Sequence, residues 1–128
     1  MRVRSFLYYW FPVIIYAGII FYLSSLSQIP SSGITISNMD KLEHAVEYFI
    51  LALLLLRALK HSLVKRPFLM SIIIASLYGI TDEIHQLFVP GRFFAVSDML
   101  ANTFGASLIL LYFLIKHTKS YKTKKAIQ

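Results

Sequence analysis

The stretch Thr81–Asn102 reads TDEIHQLFVPGRFFAVSDMLAN and decides how the chain folds. A long apolar run ends in the letters DEIHQ, the turn letters PGR follow, and the letters SDMLAN open another apolar run. Pro90 and Gly91 fit the two central positions of a type II turn, so we expect two antiparallel helices joined here. Polar groups beside hydrocarbon are costly, and their presence at this junction indicates a specific role.

The composition extends this prediction to the whole chain. Of 128 residues, 57% are hydrophobic and only 15% are charged, which is more apolar than a soluble domain. Apolar runs predict helices at about residues 6–26, 40–59, 68–88 and 98–115, each close to the roughly 20 residues that cross a bilayer. The predicted fold class is therefore all-α, an integral membrane four-helix bundle that forms a single domain over residues 1–128.

The charged residues are separated between the two ends of this bundle. Eleven of the 13 Lys and Arg residues lie at the N-terminus, at 57–66 and at 116–125, which fall on one side of a four-helix layout. The positive-inside rule places that side, with both termini, in the cytoplasm. We expect these groups to contact anionic lipid head groups rather than nucleic acid. The acids lie at the opposite, external end: Asp40, Glu43, Glu47, Asp82, Glu83 and Asp98.

The N-terminal run has a competing interpretation as a cleaved signal peptide. It has a basic start, and Ser24, Ser25 and Ser27 are small residues near its end. The run is long and bulky for a signal peptide and lacks an A-x-A cleavage site, so we expect helix 1 to be retained. The Ser-rich segment at 27–39 is predicted to be an external loop.

The first polar cluster lies at the start of helix 2. Asp40, His44 and either Glu47 or Tyr48 share one helix face. Asp40 and Glu43 also fit an N-cap and capping box, and that structural interpretation stays open. His44 and Glu47 lie at least one turn deeper, where capping cannot use them, which favours an internal site.

The second cluster lies at the end of helix 3. Asp82 and Glu83 occupy the last turns, where the helix dipole disfavours negative charge. Asp82 and Gln86 share a face, while Glu83 and His85 point elsewhere, so we expect only part of this set to face the bundle interior. A functional site is favoured here over a purely structural ion-pair network with the nearby bases.

Helix 4 contributes a third polar pair, Asp98 and Asn102. Asp98 is either the N-cap of this helix or part of the site. Asn102 lies one turn inside and is expected to hydrogen-bond across helices, and Gly105 is expected to allow a close approach of helices. The two remaining histidines, His61 and His117, lie among basic residues and are expected to be solvated.

The charge balance of the external end raises the question of a bound cation. Six acids accompany only Lys41 and Arg92, so either some carboxyls are protonated, or His44 and His85 are charged, or a cation binds. A divalent metal held by His44 with Asp or Glu is one of these outcomes. No ligand spacing is diagnostic, so no metal ligand or cofactor is assigned, and without cysteine the chain has no disulfide or Cys-based zinc site.

The motifs DKLEHAVEY and DEIHQLFVPGR, followed by Asp98, Asn102 and Gly105, resemble the VanZ-like family of small bacterial membrane proteins. The resemblance implies a multi-pass protein of the bacterial cytoplasmic membrane, with a link to teicoplanin resistance and a site that faces the envelope. It does not imply a settled reaction or agreed residue roles. Members often carry a second glycine in helix 4, where this chain has Leu108 and Ile109.

The functional prediction is a site that binds, and in a catalytic version modifies, a polar or lipid-linked envelope molecule such as a cell-wall precursor, with a glycopeptide as another ligand. The predicted catalytic residues are Asp82, Glu83 and His44. The predicted substrate-binding residues are Asp40, Lys41, Tyr48, Gln86, Arg92, Asp98 and Asn102. The alternative is a non-enzymatic docking protein whose polar end is a structural ion-pair network. Transport is disfavoured because the inner halves of helices 2 and 3 lack ionisable residues.

Overall fold

A computed structural model describes residues 3–27 and 37–126, and within those ranges the chain is all-helical. The four helices are α1 (Val3–Ser24), α2 (Ser37–His61), α3 (Pro67–Gln86) and α4 (Val96–Ala126). The predicted all-α four-helix architecture is confirmed. Most of the loop predicted at 27–39 lies outside the described residues.

The hairpin between α3 and α4 is built as the sequence predicts. Pro67 stands at the first position of α3, where its missing N–H costs least. Between the helices, the Arg92 N–H donates to the Val89 carbonyl at 3.1 Å, and Gly91 has φ 78°. This geometry is that of a type II turn with Pro90 and Gly91 at its centre. The left-handed φ at this position explains why the turn carries a glycine.

Three helices, α2, α3 and α4, pack against one another. Among the described residues, α1 packs against α2 and α3 but not against α4. The core between them contains fully or nearly fully buried apolar side chains, including Leu51, Leu55 and Ile109. Gly105 sets the distance between α4 and α2, because a Cβ at this position would overlap the backbone of Ala45. The predicted close approach at Gly105 is therefore present.

Three helices are long and apolar enough to cross a membrane within the described ranges: Arg4–Ser24, Pro67–Gln86 and Val96–Lys116. Large apolar side chains cover their outer surfaces, as lipid-facing helices require. α2 carries more charge, but it lies at the centre of the bundle in contact with all three other helices. The protein is therefore a membrane protein.

The end of the bundle where α2 finishes and α3 begins is here called the basic end. Here the guanidinium of Arg57 lies 4.9 Å from the ring centroids of both Tyr8 and Tyr9. His61 is exposed at one edge, but its ring stacks on Tyr9 with centroids 3.7 Å apart, so the prediction that His61 is merely solvated was incomplete. The side chain of His117 lies outside the described residues.

Candidate functional site

The opposite end of the bundle, here called the acidic end, collects polar side chains from all four helices. It forms where α1 and α3 finish and where α2 and α4 begin, because antiparallel neighbours place these termini together. Burying polar groups without partners is costly, so a concentration at one end of an apolar bundle is a candidate site. The buried polar residues at this end are Ser24, His44, Asp82, Glu83, Gln86, Asp98 and Asn102.

Both acids of α3 are buried, although the sequence left open which of the two faces the interior. Asp82 is 4% exposed and Glu83 is 0% exposed. Successive residues of a helix point about 100° apart, so covering both requires neighbours on more than one side. α3 has these neighbours, since α1, α2 and α4 all pack against it. His85, by contrast, is half-buried toward α1.

The two carboxyls have different surroundings. Glu83 accepts a hydrogen bond through Oε2 from the N–H of Ala95 at 3.3 Å, just before α4 begins. Asp82 lies beside Ser24 and Gln86. One oxygen of each acid, Asp82 Oδ1 and Glu83 Oε1, is buried without a hydrogen-bond partner in the described part of the chain. A structural ion-pair network would be expected to satisfy such atoms.

His44 and Asn102 join α2 to α4 across the site. His44 Nδ1 lies 2.9 Å from Asn102 Oδ1, which confirms the prediction that Asn102 hydrogen-bonds across helices. Asn102 is fully buried and packs on Gly79 of α3, where a Cβ would come within 3.0 Å of its side chain. One amide therefore positions the imidazole and brings three helices together.

The capping interpretations of Asp40 and Asp98 were wrong. α2 begins at Ser37 and α4 at Val96, so both acids lie within the first helical turn rather than at the N-cap. Asp98 is 7% exposed and faces α2. Its Oδ1 lies 3.9 Å from Lys41 Nζ, and its Oδ2 lies 4.0 Å from His44 Nε2. Both are long ionic contacts.

A cavity of about 280 Å³ opens between α1, α2 and α3. Its wall combines apolar side chains of α1 with polar groups of α2 and α3, so hydrocarbon and carboxyl oxygens face the same space. We refer to it as the first cavity. Its lining residues are Ile20, Leu23, Ser24, Leu26, Ser27, Asp40, Glu43, His44, Glu47, Asp82, Gln86 and Arg92.

A second cavity of about 230 Å³ lies against the α3–α4 turn. It shares Asp40, His44, Gln86 and Arg92 with the first cavity, so the two are neighbours. Its other lining residues are Lys41, Gly91, Phe93, Ala95, Ser97 and Asp98. The shared wall places His44 between the two spaces.

Three of the predicted site residues lie behind these walls. Tyr48, Glu83 and Asn102 are fully buried and line neither cavity. Tyr48 packs on Gly79, and its hydroxyl has no partner among the described residues. These three side chains can support residues at the wall, whereas Asp82 and His44 reach the cavity itself.

Arg92 makes contacts that the sequence did not predict. Its Nε donates to the Leu26 carbonyl at 3.2 Å, and one Nη donates to the Leu23 carbonyl at 3.1 Å. These carbonyls lie at the end of α1, where a cation is favoured by the helix dipole. Within the described ranges Arg92 forms no ion pair with a carboxylate, so here it fixes the end of α1 beside the site.

The serines that end α1 belong to the site, although the sequence pointed to them only as small residues near a cleavage position. Ser24 is buried in the wall of the first cavity. The Ser25 hydroxyl lies 3.0 Å from His85 Nε2, and the ring of His85 also packs on Phe21. A signal was present, since two adjacent hydroxyls at the end of an otherwise apolar helix need polar partners.

Comparison with protein families identifies the chain. Residues 5–117 match the model of the VanZ/LLP1 family. No curated protein sequence and no solved structure matches the chain. Because the matched region spans all four helices and most of the chain, the protein belongs to the VanZ/LLP1 family.

Proposed function

We propose that this VanZ/LLP1 family member binds the polar head of a lipid-linked or otherwise amphiphilic envelope molecule in the first cavity. The observation that carries the proposal is the composition of the cavity wall. Ile20, Leu23 and Leu26 present hydrocarbon, while Asp82 and His44 present polar atoms to the same space. A ligand with an apolar part beside a polar head matches such a wall.

The polar half of the wall indicates the chemistry of the head group. Asp40, Glu43, Glu47 and Asp82 offer carboxyl oxygens, which accept hydrogen bonds from hydroxyl or ammonium groups. Two donors of the Arg92 fork serve the end of α1, which leaves other N–H groups of the same guanidinium for one anionic group. Sugar-bearing or amine-bearing lipid phosphates are ligands of this kind.

In the catalytic form of the proposal, Asp82 and His44 exchange protons with the bound head group. Both line the first cavity, and both residue types serve as general acids or bases when partly buried. Asn102 holds the His44 ring, and Glu83, which lies behind the wall, holds the start of α4 through Ala95. The proposed catalytic pair is therefore Asp82 with His44, supported from behind by Glu83.

The location in the bacterial cytoplasmic membrane, with both termini inside and the acidic end facing the envelope, is part of the same proposal. The separation of acidic and basic residues between the two ends supports that orientation. The resemblance to VanZ-like proteins supports a contribution to teicoplanin resistance through the same bound molecule.

The test compares substitutions in the first cavity with substitutions of the same kind at residues outside it. Parent protein and variants are purified with native lipid, the co-purified lipids are identified by mass spectrometry, and survival under teicoplanin is scored in an expressing host. Asp82→Asn, His44→Gln and Leu23→Trp, which enlarges a side chain that lines the cavity, should lose the enriched lipid and any protection at unchanged membrane levels. His61→Gln and Ile19→Trp, which alter an exposed histidine and an outward-facing apolar residue, should behave as the parent.

The docking alternative makes the opposite prediction. If the acidic end only supports the fold or a protein contact, Leu23→Trp and His44→Gln will keep the protection and the lipid profile of the parent. One carboxyl oxygen each of Asp82 and Glu83 lacks a partner in the described part of the chain, which weighs against that alternative, because a purely structural network would be expected to use these atoms.

A further inference from the structure

We infer that Asp40, His44 and Asp98 form a binding site for one divalent transition-metal ion, with Zn²⁺ as the best match. One ligand atom from each residue lies within 4.8 Å of the others. Asp40 and His44 are one turn apart on α2, and Asp98 faces them from α4. This inference rests on the geometry of the three side chains and does not depend on the ligand proposed for the first cavity. With an ion bound, His44 serves as a ligand, and proton exchange in the catalytic form of the proposed function falls to Asp82 alone.

The orientation of His44 is the first argument. Asn102 Oδ1 accepts the hydrogen bond at 2.9 Å, so Nδ1 carries a proton, and in the neutral imidazole Nε2 keeps its lone pair. A metal-binding histidine commonly donates its second N–H to an oxygen acceptor, which fixes the tautomer and the ring orientation. His44 therefore has the arrangement of a metal ligand with an outer partner.

The surroundings of Nε2 provide an independent second argument. His44 is 8% exposed, and its hydrogen bond to Asn102 uses Nδ1 rather than Nε2. Nε2 points toward Asp98 Oδ2 at 4.0 Å, too far for a hydrogen bond. In a tetrahedral site, two ligand atoms about 2.0–2.2 Å from one ion lie about 3.4 Å apart, so the Asp98 side chain needs to move by only about 0.6 Å to share an ion with His44.

The third ligand and the open side of the site complete the set. Asp40 is exposed, and its side chain is free to close on an ion held by the two buried ligands. Asp40 and His44 line both cavities, and Asp98 lines the second. A fourth position would therefore face solvent or a bound molecule, as in sites with three protein ligands and one open position.

The charges favour an ion rather than an internal ion pair. Lys41 Nζ lies 3.9 Å from Asp98 Oδ1, which leaves Oδ2 directed at His44. Two carboxylates with one neutral imidazole carry a charge of −2, and the nearby Lys41 ammonium reduces this to −1, so the group still attracts a cation. The imidazole nitrogen favours Zn²⁺ over Mg²⁺, Ca²⁺ or Mn²⁺, which prefer oxygen ligands.

The test is a Zn²⁺ titration of the chelator-treated full-length protein in detergent, followed by calorimetry, with no lipid ligand present. The parent should bind one ion per chain. Asp98→Asn and His44→Gln should each weaken binding by more than about 100-fold, and Asn102→Ala by about 10–100-fold, since it leaves the ligands but frees the ring. His61→Gln, the matched histidine control at the basic end, should bind as the parent.

Two results would overturn the site. One is a parent protein that binds no zinc, and the other is a His44→Gln or Asp98→Asn variant that binds as tightly as the parent. Thermal unfolding with chelator present confirms that each variant is folded, and added Zn²⁺ should raise the midpoint of the parent but not of these two variants. Because the titration contains no envelope lipid, its outcome is separate from that of the lipid-capture experiment.

Discussion

The two ends of the bundle treat their charged side chains differently. At the basic end, Arg57 lies over two tyrosine rings and Lys60 lies 4.6 Å from the ring centroid of Phe68. These cations lie at the surface on aromatic supports. At the acidic end, Asp82 and Glu83 are buried, and one oxygen of each lacks a partner in the described part of the chain.

The difference shows which end is built for binding. Cations stacked on aromatic rings stabilise an interface with head groups and keep their contact with water. Buried carboxyls around His44 do the reverse, since they cost stability that the surrounding packing must supply. A cavity also exists at the basic end, about 350 Å³ beside Arg57 and Lys116, but its charged lining residues are half-buried or exposed. The acidic end therefore carries the stronger evidence for a site.

The largest loss of stability is expected at Gly105, where α4 packs directly against the backbone of α2. Gly105→Ala should lower the free energy of unfolding by about 3 kcal/mol or more, because the new Cβ overlaps the backbone of Ala45. Gly18→Ala is the matched control, with no atom within 4 Å of the new Cβ, and should gain up to about 1 kcal/mol from helix propensity. Chemical unfolding in detergent measures both, and equal effects would contradict the close approach.

A second experiment compares a core side chain with the buried acids. Leu55→Ala should cost about 2–5 kcal/mol, as for other buried leucines. Asp82→Asn and Glu83→Gln should leave the thermal unfolding midpoint unchanged or raise it, because they remove buried carboxyl groups. The corresponding gain in the free energy of unfolding is up to about 2 kcal/mol. Sharply lower midpoints for both acid variants would make these residues structural partners and would remove the main support for a catalytic role.

Substitutions at the basic end should change the free energy of unfolding less. Arg57→Met should cost about 1 kcal/mol, because it removes the cation from the rings of Tyr8 and Tyr9. Arg66→Met, which alters an exposed arginine, should change the unfolding free energy by no more than about 0.5 kcal/mol. If the two variants are indistinguishable, the stacking at this end adds nothing measurable.

The smallest change in stability is expected at Arg92. This residue holds the end of α1, and in the proposed function it also offers N–H groups to an anionic ligand. Arg92→Gln should cost about 0.5–1 kcal/mol and should speed amide hydrogen exchange at the end of α1, because two hydrogen bonds to its carbonyls are lost. Exchange in α4 should not change. A variant with normal exchange at Leu23 and Leu26 would show that Arg92 does not hold α1.

The sequence predicted those features that depend on local pattern. Apolar runs gave the four helices to within a few residues at all ends but one, and Pro90 with Gly91 gave the type II turn. The exception is the end of helix 4, predicted at 115 and found at Ala126, because the helix continues beyond its apolar run into the basic segment. The cross-helix role of Asn102 and the close approach at Gly105 also followed from residue type, since a buried amide needs a partner and a glycine permits contact. The capping positions of Asp40 and Asp98 failed because both helices begin a few residues earlier than their apolar runs.

The remaining features depend on how the helices pack, which no single-helix pattern contains. Glu83 is buried because α3 has neighbours on several sides. The assignment of residues to helix faces from their spacing assumes that only one side of the helix is covered. The contacts of Arg92 depend on where α1 ends relative to a turn more than sixty residues later. Ser24 became part of the site for the same reason, since only the packed bundle places it beside Asp82.

The hydrogen bond between His44 and Asn102 has a consequence for biosynthesis. The two residues are 58 positions apart, so the ribosome completes α2 and α3 before it makes the amide that the imidazole requires. Until the segment from Ala95 to Asn102 emerges, a nascent chain holds His44 without Asn102 and Glu83 without the N–H of Ala95. Translation that stops before Val96 should therefore leave an unfinished, exposed polar surface, and we expect such truncated chains to be degraded rather than to accumulate as a stable three-helix protein.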